Sequence, residues 1–219
     1  LPAQAGIVIN GTRVIYPAER REVTLQLNNT GEVPALVQSW IDKGDMNSQP
    51  KRAKAPFIIM HPVARVDGGQ SQALRIMYSG APLAADRESL YWLNVLDIPP
   101  ELSGTEGKNY LQFAVRSRLK LFFRPKGLKG DPAKATEQLR WQLDKANKAL
   151  LVENKGPYHI TLDNIQLAGK KLQGGMVAPF SQLSLPLPAM AIPSLPTTLQ
   201  FGNINDFGAL QSHSIRLEK

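Results

Sequence analysis

The stretch Tyr110–Pro125 reads Tyr-Leu-Gln-Phe-Ala-Val-Arg-Ser-Arg-Leu-Lys-Leu-Phe-Phe-Arg-Pro. Successive side chains of an extended chain point to opposite sides, so Leu111, Phe113, Val115, Leu119 and Leu121 share one face. Gln112, Ala114, Arg116, Arg118 and Lys120 share the other. One face is apolar and one is basic. The period of two predicts a β-strand about twice the usual ~5–6 residues, and two readings of it stand side by side. It is a core strand with a solvated polar face, or an edge strand that pairs with a partner chain through its backbone, with alternate side chains setting the register. A platform for single-stranded nucleic acid needs aromatics interleaved with the cations, whereas Phe122 and Phe123 are adjacent, so no nucleic-acid partner is expected.

Working outward, short alternating apolar runs between turn residues continue in both directions, and helical periodicity is nearly absent. Before the central stretch the predicted strands are Gly6–Tyr16, Val23–Asn28, Ala35–Ile41, Phe57–Met60, Ala73–Tyr78 and Leu90–Ile98, followed by Tyr110–Phe123 itself. Turn clusters Asn28-Asn29-Thr30-Gly31, Gly44-Asp45, Asp67-Gly68-Gly69 and Ser79-Gly80-Ala81-Pro82 separate them. This spacing suits a β-sandwich. Arg124-Pro125-Lys126-Gly127 then breaks the pattern, because proline ends a strand and glycine loosens the chain, which sets a domain boundary at Pro125. Asp131-Pro132 supplies a cap and a first-turn proline for a short helix over Ala133–Leu139. Strands resume at Arg140–Leu143, Ala149–Glu153, Tyr158–Leu167, Leu172–Met176, Leu183–Leu187, Thr197–Phe201 and Ser214–Leu217. Residues 6–125 and 126–219 therefore read as two all-β sandwich domains, with residues 1–5 apart from both. Pro186, Pro188, Pro193 and Pro196 confine the segment after Leu183 to an edge strand and a loop.

Composition limits the chemistry. The 219 residues carry 26 Lys+Arg against 18 Asp+Glu, a net charge of +8 spread evenly over both halves, and no cysteine. Disulfide frameworks, thiolate metal sites and cysteine nucleophiles are thereby excluded. His61, His159 and His213 lie far apart without carboxylates at ligand spacing, so no metal or other cofactor is expected. No phosphate loop, dinucleotide fingerprint or nucleophile elbow occurs, and an enzyme is not expected. Ala3-Gln4-Ala5 has the small-x-small form cut by a signal peptidase, and reads either as the end of a cleaved export signal or as an ordinary terminus.

With these features in view, the sequence resembles the periplasmic pilus-assembly chaperones of the chaperone–usher pathway. The resemblance rests on motifs that agree in order. They are Thr12-Arg13-Val14-Ile15-Tyr16-Pro17, Gln38-Ser39-Trp40, Leu74-Arg75-Ile76, Asp86-Arg87-Glu88-Ser89-Leu90-Tyr91-Trp92-Leu93-Asn94-Val95, Ile98-Pro99-Pro100, Arg118 through Pro125, and Ile204-Asn205-Asp206-Phe207-Gly208-Ala209. It implies two immunoglobulin-like β-sandwich domains in a boomerang arrangement. The implied function is to bind, fold and cap fimbrial subunits by donor-strand complementation in the periplasm and deliver them to an outer-membrane usher.

Carried over by position, Arg13 and Lys120 are similar to the family's cations that hold the subunit's C-terminal carboxylate. Leu111, Phe113 and Val115 are similar to its donor-strand residues, and Glu88, Arg124 and Asp206 to a charged trio bridging the domains. Trp40 and Trp92 receive no site role. Counting by twos puts Lys120 on the face opposite the donor residues, so one ligand must reach both faces. The short connection Pro100–Asn109 resembles the branch serving rod-type fimbriae. A free edge strand also implies self-association when no subunit is bound. The competing reading from another class is a two-domain adhesive or ligand-binding sandwich module.

Overall fold

A computed structural model describes residues 6–100, 112–188 and 192–218. Leu111, residues 1–5 and most of the connection ending at Asn109 lie outside the described residues.

The chain divides into two units: residues up to Leu83 with Ser89–Arg124, and Ala84–Glu88 with the chain from Pro125 onward. In the first unit, alternation of apolar residues produces β1 (Ile7–Ile9), β2 (Arg13–Pro17), β3 (Glu22–Asn29), β4 (Ala35–Asp42), β5 (Phe57–Met60), β6 (Val63–Val66), β7 (Ser71–Tyr78), β8 (Ser89–Ile98) and β9 (Val115–Arg124). They form two sheets, β1-β3-β7-β5 and β2-β9-β8-β4-β6, packed as an immunoglobulin-like sandwich. Its core includes Tyr16, Leu27, Ile76, Leu93 and Leu121, all fully buried. Leu119, Leu121 and Phe123 bury one face of β9, so the predicted alternation survives in the fold.

Three sequence expectations need correction in this unit. Gly6–Tyr16, predicted as one strand, is two strands in different sheets. Gly11 takes φ of +132°, a left-handed conformation that suits glycine, and the chain switches sheets there. β1 pairs antiparallel with β3, while β2 pairs parallel with β9. The strand predicted over Tyr110–Phe123 begins only at Val115, with Phe113 preceding it in irregular chain. β6 has no counterpart among the predicted strands; it follows directly on Pro62 and on His61, whose φ is +54°.

The second unit contains a 3-10 helix at Pro132–Gln138 where a short helix was expected, with the Asp131 side chain accepting from the Ala133 N–H at 2.9 Å. Its strands are β10 (Leu139–Asp144), β11 (Ala149–Asn154), β12 (Ile160–Leu167), β13 (Lys170–Leu172), β14 (Gly175–Val177), β15 (Ser181–Pro186), β16 (Thr197–Ile204) and β17 (Leu210–Leu217). The predicted strand Leu172–Met176 is divided between β13 and β14. One sheet runs β10-β11-β15 and the other β13-β12-β16-β17, with β14 also on β12. Leu150, Val152, Ile165, Leu167 and Leu199 fill the space between them. β15 ends at Pro186 on the outside of its sheet, as the prolines required.

One buried hydroxyl secures the first unit. The Tyr16 O–H points at the carbonyls of Arg20 and Arg21, at 3.2 and 3.0 Å, and its oxygen accepts from the Tyr78 N–H at 2.9 Å. The ring stacks on Phe123. Tyr16→Phe leaves the Tyr78 donor without this acceptor, and a lost buried partner costs ~1–3 kcal/mol. The expected result is a lower denaturant midpoint for unfolding of this unit with an unchanged slope, measured by urea titration.

Candidate functional site

Because the chain switches sheets at Gly11, β2 begins at Arg13 and covers only part of its neighbour. It pairs Arg13 through Pro17 with Lys120 through Arg124. β8 covers the other side of β9 from Val115 to Phe123. Among the described residues, no strand pairs with Val115–Leu119 on the β2 side. That edge presents a row of backbone donors and acceptors open to pairing. Val115 is 58% exposed and Phe113 68% exposed beside it, so neither belongs to the core.

At the point where the open edge meets β2, Arg13 and Lys120 are direct register partners. The Arg13 guanidinium lies over the Phe122 ring, 5.7 Å from its centroid, and the Lys120 ammonium lies 5.9 Å from the Trp92 ring centroid. Burial, and secondarily the neighbouring Arg13 charge, hold the Lys120 ammonium below the ordinary lysine range. Two cations held side by side are suited to one carboxylate, since an anion between them relieves their repulsion and forms charge-assisted hydrogen bonds. The faces also reconcile: Lys120 lies on the outer face of β9 and Val115 on the inner, while a strand added at the edge lies in the sheet plane between them.

Further up the outer face is a network that sequence reasoning missed. Asp42 is 2% exposed and Asn94 fully buried. The Asp42 carboxylate accepts from Ser48 Oγ at 2.6 Å, Asn94 Nδ2 at 2.7 Å, Arg118 Nη2 at 2.7 Å and the Gly44 N–H at 2.6 Å. Asn94 Oδ1 accepts from Arg116 Nε and Nη2 at 3.0 and 2.7 Å. Arg116 also donates to the Met46 carbonyl, and Arg118 to the Asp45 carbonyl, tying the following loop to the sheet. Trp40 lies under Arg116 at 5.0 Å and Trp92 under Arg118 at 4.4 Å. Both tryptophans therefore belong to the basic face and support its cations. The available signal was the spacing of Trp40 with Asp42 and of Trp92 with Asn94, each two residues apart and so on one face.

The remaining predicted residues are placed as follows. Glu88 is buried in the second unit, where its carboxylate accepts from the His159 N–H at 2.8 Å and lies 3.2 Å from His159 Nδ1. Arg124 ends β9, and its carbonyl accepts from the Ala18 N–H. Asp206 sits in the turn between β16 and β17, where Asn205 Oδ1 accepts from the N–H groups of Phe207 and Ala209. His213 Nε2 lies 2.6 Å from Asn203 Oδ1, and its ring stacks on Phe201. Among the described residues, no group of His, Asp or Glu is arranged to hold a metal ion, and no helix is long and apolar enough to cross a membrane.

Known proteins match this chain along nearly all of its length. The family described as pili and flagellar-assembly chaperone, PapD N-terminal domain, matches residues 6–129, and that of the pili assembly chaperone PapD C-terminal domain matches residues 134–215. The chaperone protein FimB/FhaD of Bordetella pertussis is 42% identical over 216 residues, which cover 95% of this chain and 86% of the relative. MrkB, a chaperone protein of Klebsiella pneumoniae, is 43% identical over 93% of this chain and 88% of its own. The crystal structure of the YadV chaperone matches with a TM-score of 0.80 at 37% identity, over 97% of this chain and all of that one. The Salmonella enterica SafA pilin in complex with the SafB chaperone matches with a TM-score of 0.83 at 31% identity, over 98% and 96% of the two chains.

Burial pushes the Asp42 carboxyl up, but the bonds from Ser48, Asn94, Gly44 and Arg118 together hold it below its ordinary value. A carboxyl depressed in the folded state adds stability that is complete above its unfolded value of ~3.9 and is lost as pH falls through the folded value. The expected result is that unfolding free energy falls more steeply below about pH 4 for the wild type than for Asp42→Asn, the two converging in acid. Urea midpoints across this range check it.

Proposed function

The chain belongs to the pilus-assembly chaperone family, and from that premise we propose that it binds fimbrial subunits in the periplasm by adding its open β9 edge to them and delivers them to an outer-membrane usher. The observation that carries the reading is the position of Arg13 and Lys120 as register partners where β2 begins and the uncovered part of β9 ends.

Direction follows from the pairing already present. β2 runs parallel to β9, and an added strand in line with β2 that keeps this direction ends, rather than begins, at Arg13. A parallel strand thus presents its terminal carboxylate to the two cations. An antiparallel strand presents an ammonium and is repelled. Backbone bonds along Val115–Leu119 supply affinity, and the carboxylate fixes position. On the subunit side, Phe113 and Val115 enter an apolar groove that lacks a strand of its own. Leu111, outside the described residues, continues their alternation. Full burial of such a side chain contributes ~1.5–3 kcal/mol. Occupying the groove also blocks premature polymerisation. Without a subunit, the same edge favours pairing with a second copy of the chain. No cofactor or bond-making step is required.

Lys120→Ala is expected to abolish subunit recovery in periplasmic co-purification while leaving the circular dichroism spectrum unchanged; normal recovery refutes the anchor. Capture from periplasmic extract on the purified chain, read by mass spectrometry, is expected to return pilin-like subunits and an usher. Recovery of carbohydrate or nucleic acid alone overturns the reading.

A further inference from the structure

Arg13, Lys120, Trp92 and Asp42 occupy one transverse row across β2, β9, β8 and β4. The next row holds Arg118, Asn94 and Trp40. Arg118 leaves its own row, crosses the Trp92 ring at 4.4 Å and ends on Asp42 at 2.7 Å. Arg116 leans the same way, onto Asn94 and the Met46 carbonyl. Both arginines of the uncovered half of β9 are thus turned away from the open edge, and the Arg118–Asp42 pair is nearly buried.

We propose that Asp42 sets the register of an added strand by holding Arg118 away from the open edge, an inference that rests on the function proposed above. Side chains of a strand repeat every two residues, so a slip of one residue puts every apolar group on the wrong face, whereas a slip of two restores the pattern. Apolar alternation therefore discriminates poorly against the two-residue slip, and the carboxylate anchor must do so. A slip forward is blocked by β2, which occupies the next positions along β9. A slip backward brings the carboxylate beside Arg118, two residues before Lys120 and on the same face.

An untethered guanidinium there offers a bidentate carboxylate site of its own. Tethered to Asp42, it does not. The Arg118 Nε is buried and has no acceptor among the described residues, so bonds through the terminal nitrogens, chiefly that to Asp42, hold the guanidinium in place. The depressed carboxyl of Asp42 keeps that partner ionised at neutral pH.

The chain has no cysteine, so Ser117→Cys introduces a single thiol beside the open edge. The probe is the pilin subunit that co-purifies with the wild-type chain, carrying single cysteines scanned along its C-terminal strand. With Asp42 intact, one subunit position is expected to dominate disulfide formation. Asp42→Asn, or Asp42→Ser if the amide does not fold, is expected to add a second product two residues away. Its share should rise roughly tenfold, which corresponds to ~1.4 kcal/mol of anchor preference. Arg118→Met in the same background is expected to return the single product, a rescue that general loosening of the fold would not produce. A single unchanged register in the Asp42 variants overturns the inference, as does a second product that persists without Arg118. No disulfide with Asp42 intact removes strand addition itself, and this inference with it, a result distinct from a wild-type register that Asp42 does not control.

Discussion

The backbone of Val115–Leu119, which no strand of the described residues covers on the β2 side, is the constraint on which the rest of the site depends. A β-strand inside a sheet satisfies its donors and acceptors on both sides, and among the described residues β9 does so only from Lys120 onward, where β2 lies beside it. The cause is local. Gly11 turns the chain so that β1 joins one sheet and β2 the other, and among the described residues no single strand runs the full length of β9 on that side. A straight first strand would close the edge and move Arg13 away from the end of a gap.

Charge on the surrounding face is organised by the same strand. Arg116, Arg118 and Lys120 alternate along β9, but they do not present three equal cations. Arg118 is paired with Asp42 and stacked on Trp92, Arg116 is hydrogen-bonded to Asn94 and stacked on Trp40, and their guanidiniums staple the loop after β4 to the sheet. Lys120 lies beside Arg13, and burial together with that neighbouring charge disfavours its charged form. A net charge of +8 thus says little about where an anion is attracted. Burial, pairing and the direction of each side chain decide that.

Much of the fold was legible because period-two alternation is a property of a few consecutive residues. β5 and the apolar and basic faces of β9 were readable without knowing any neighbour. Expectations fall short where one or two residues change the chain's direction: at Gly11, which divides the first strand, and at His61-Pro62, just before the unpredicted β6. The sequence assigns Trp40 and Trp92 no role, because an aromatic on a strand gives no local sign of which cation rests on it.

That the chain is all-β and that Lys120 faces away from Val115 is written in the sequence alone, since composition and alternation are encoded residue by residue. Its ordered motifs also pointed to the family. It took the tertiary structure to show that Arg13 and Lys120 are register partners, that the start of β9 is uncovered on one side among the described residues, and that Asp42 holds Arg118. Those are facts about which strands become neighbours. Neighbour choice follows from burying two apolar faces against each other across the whole unit, a balance that no short segment contains.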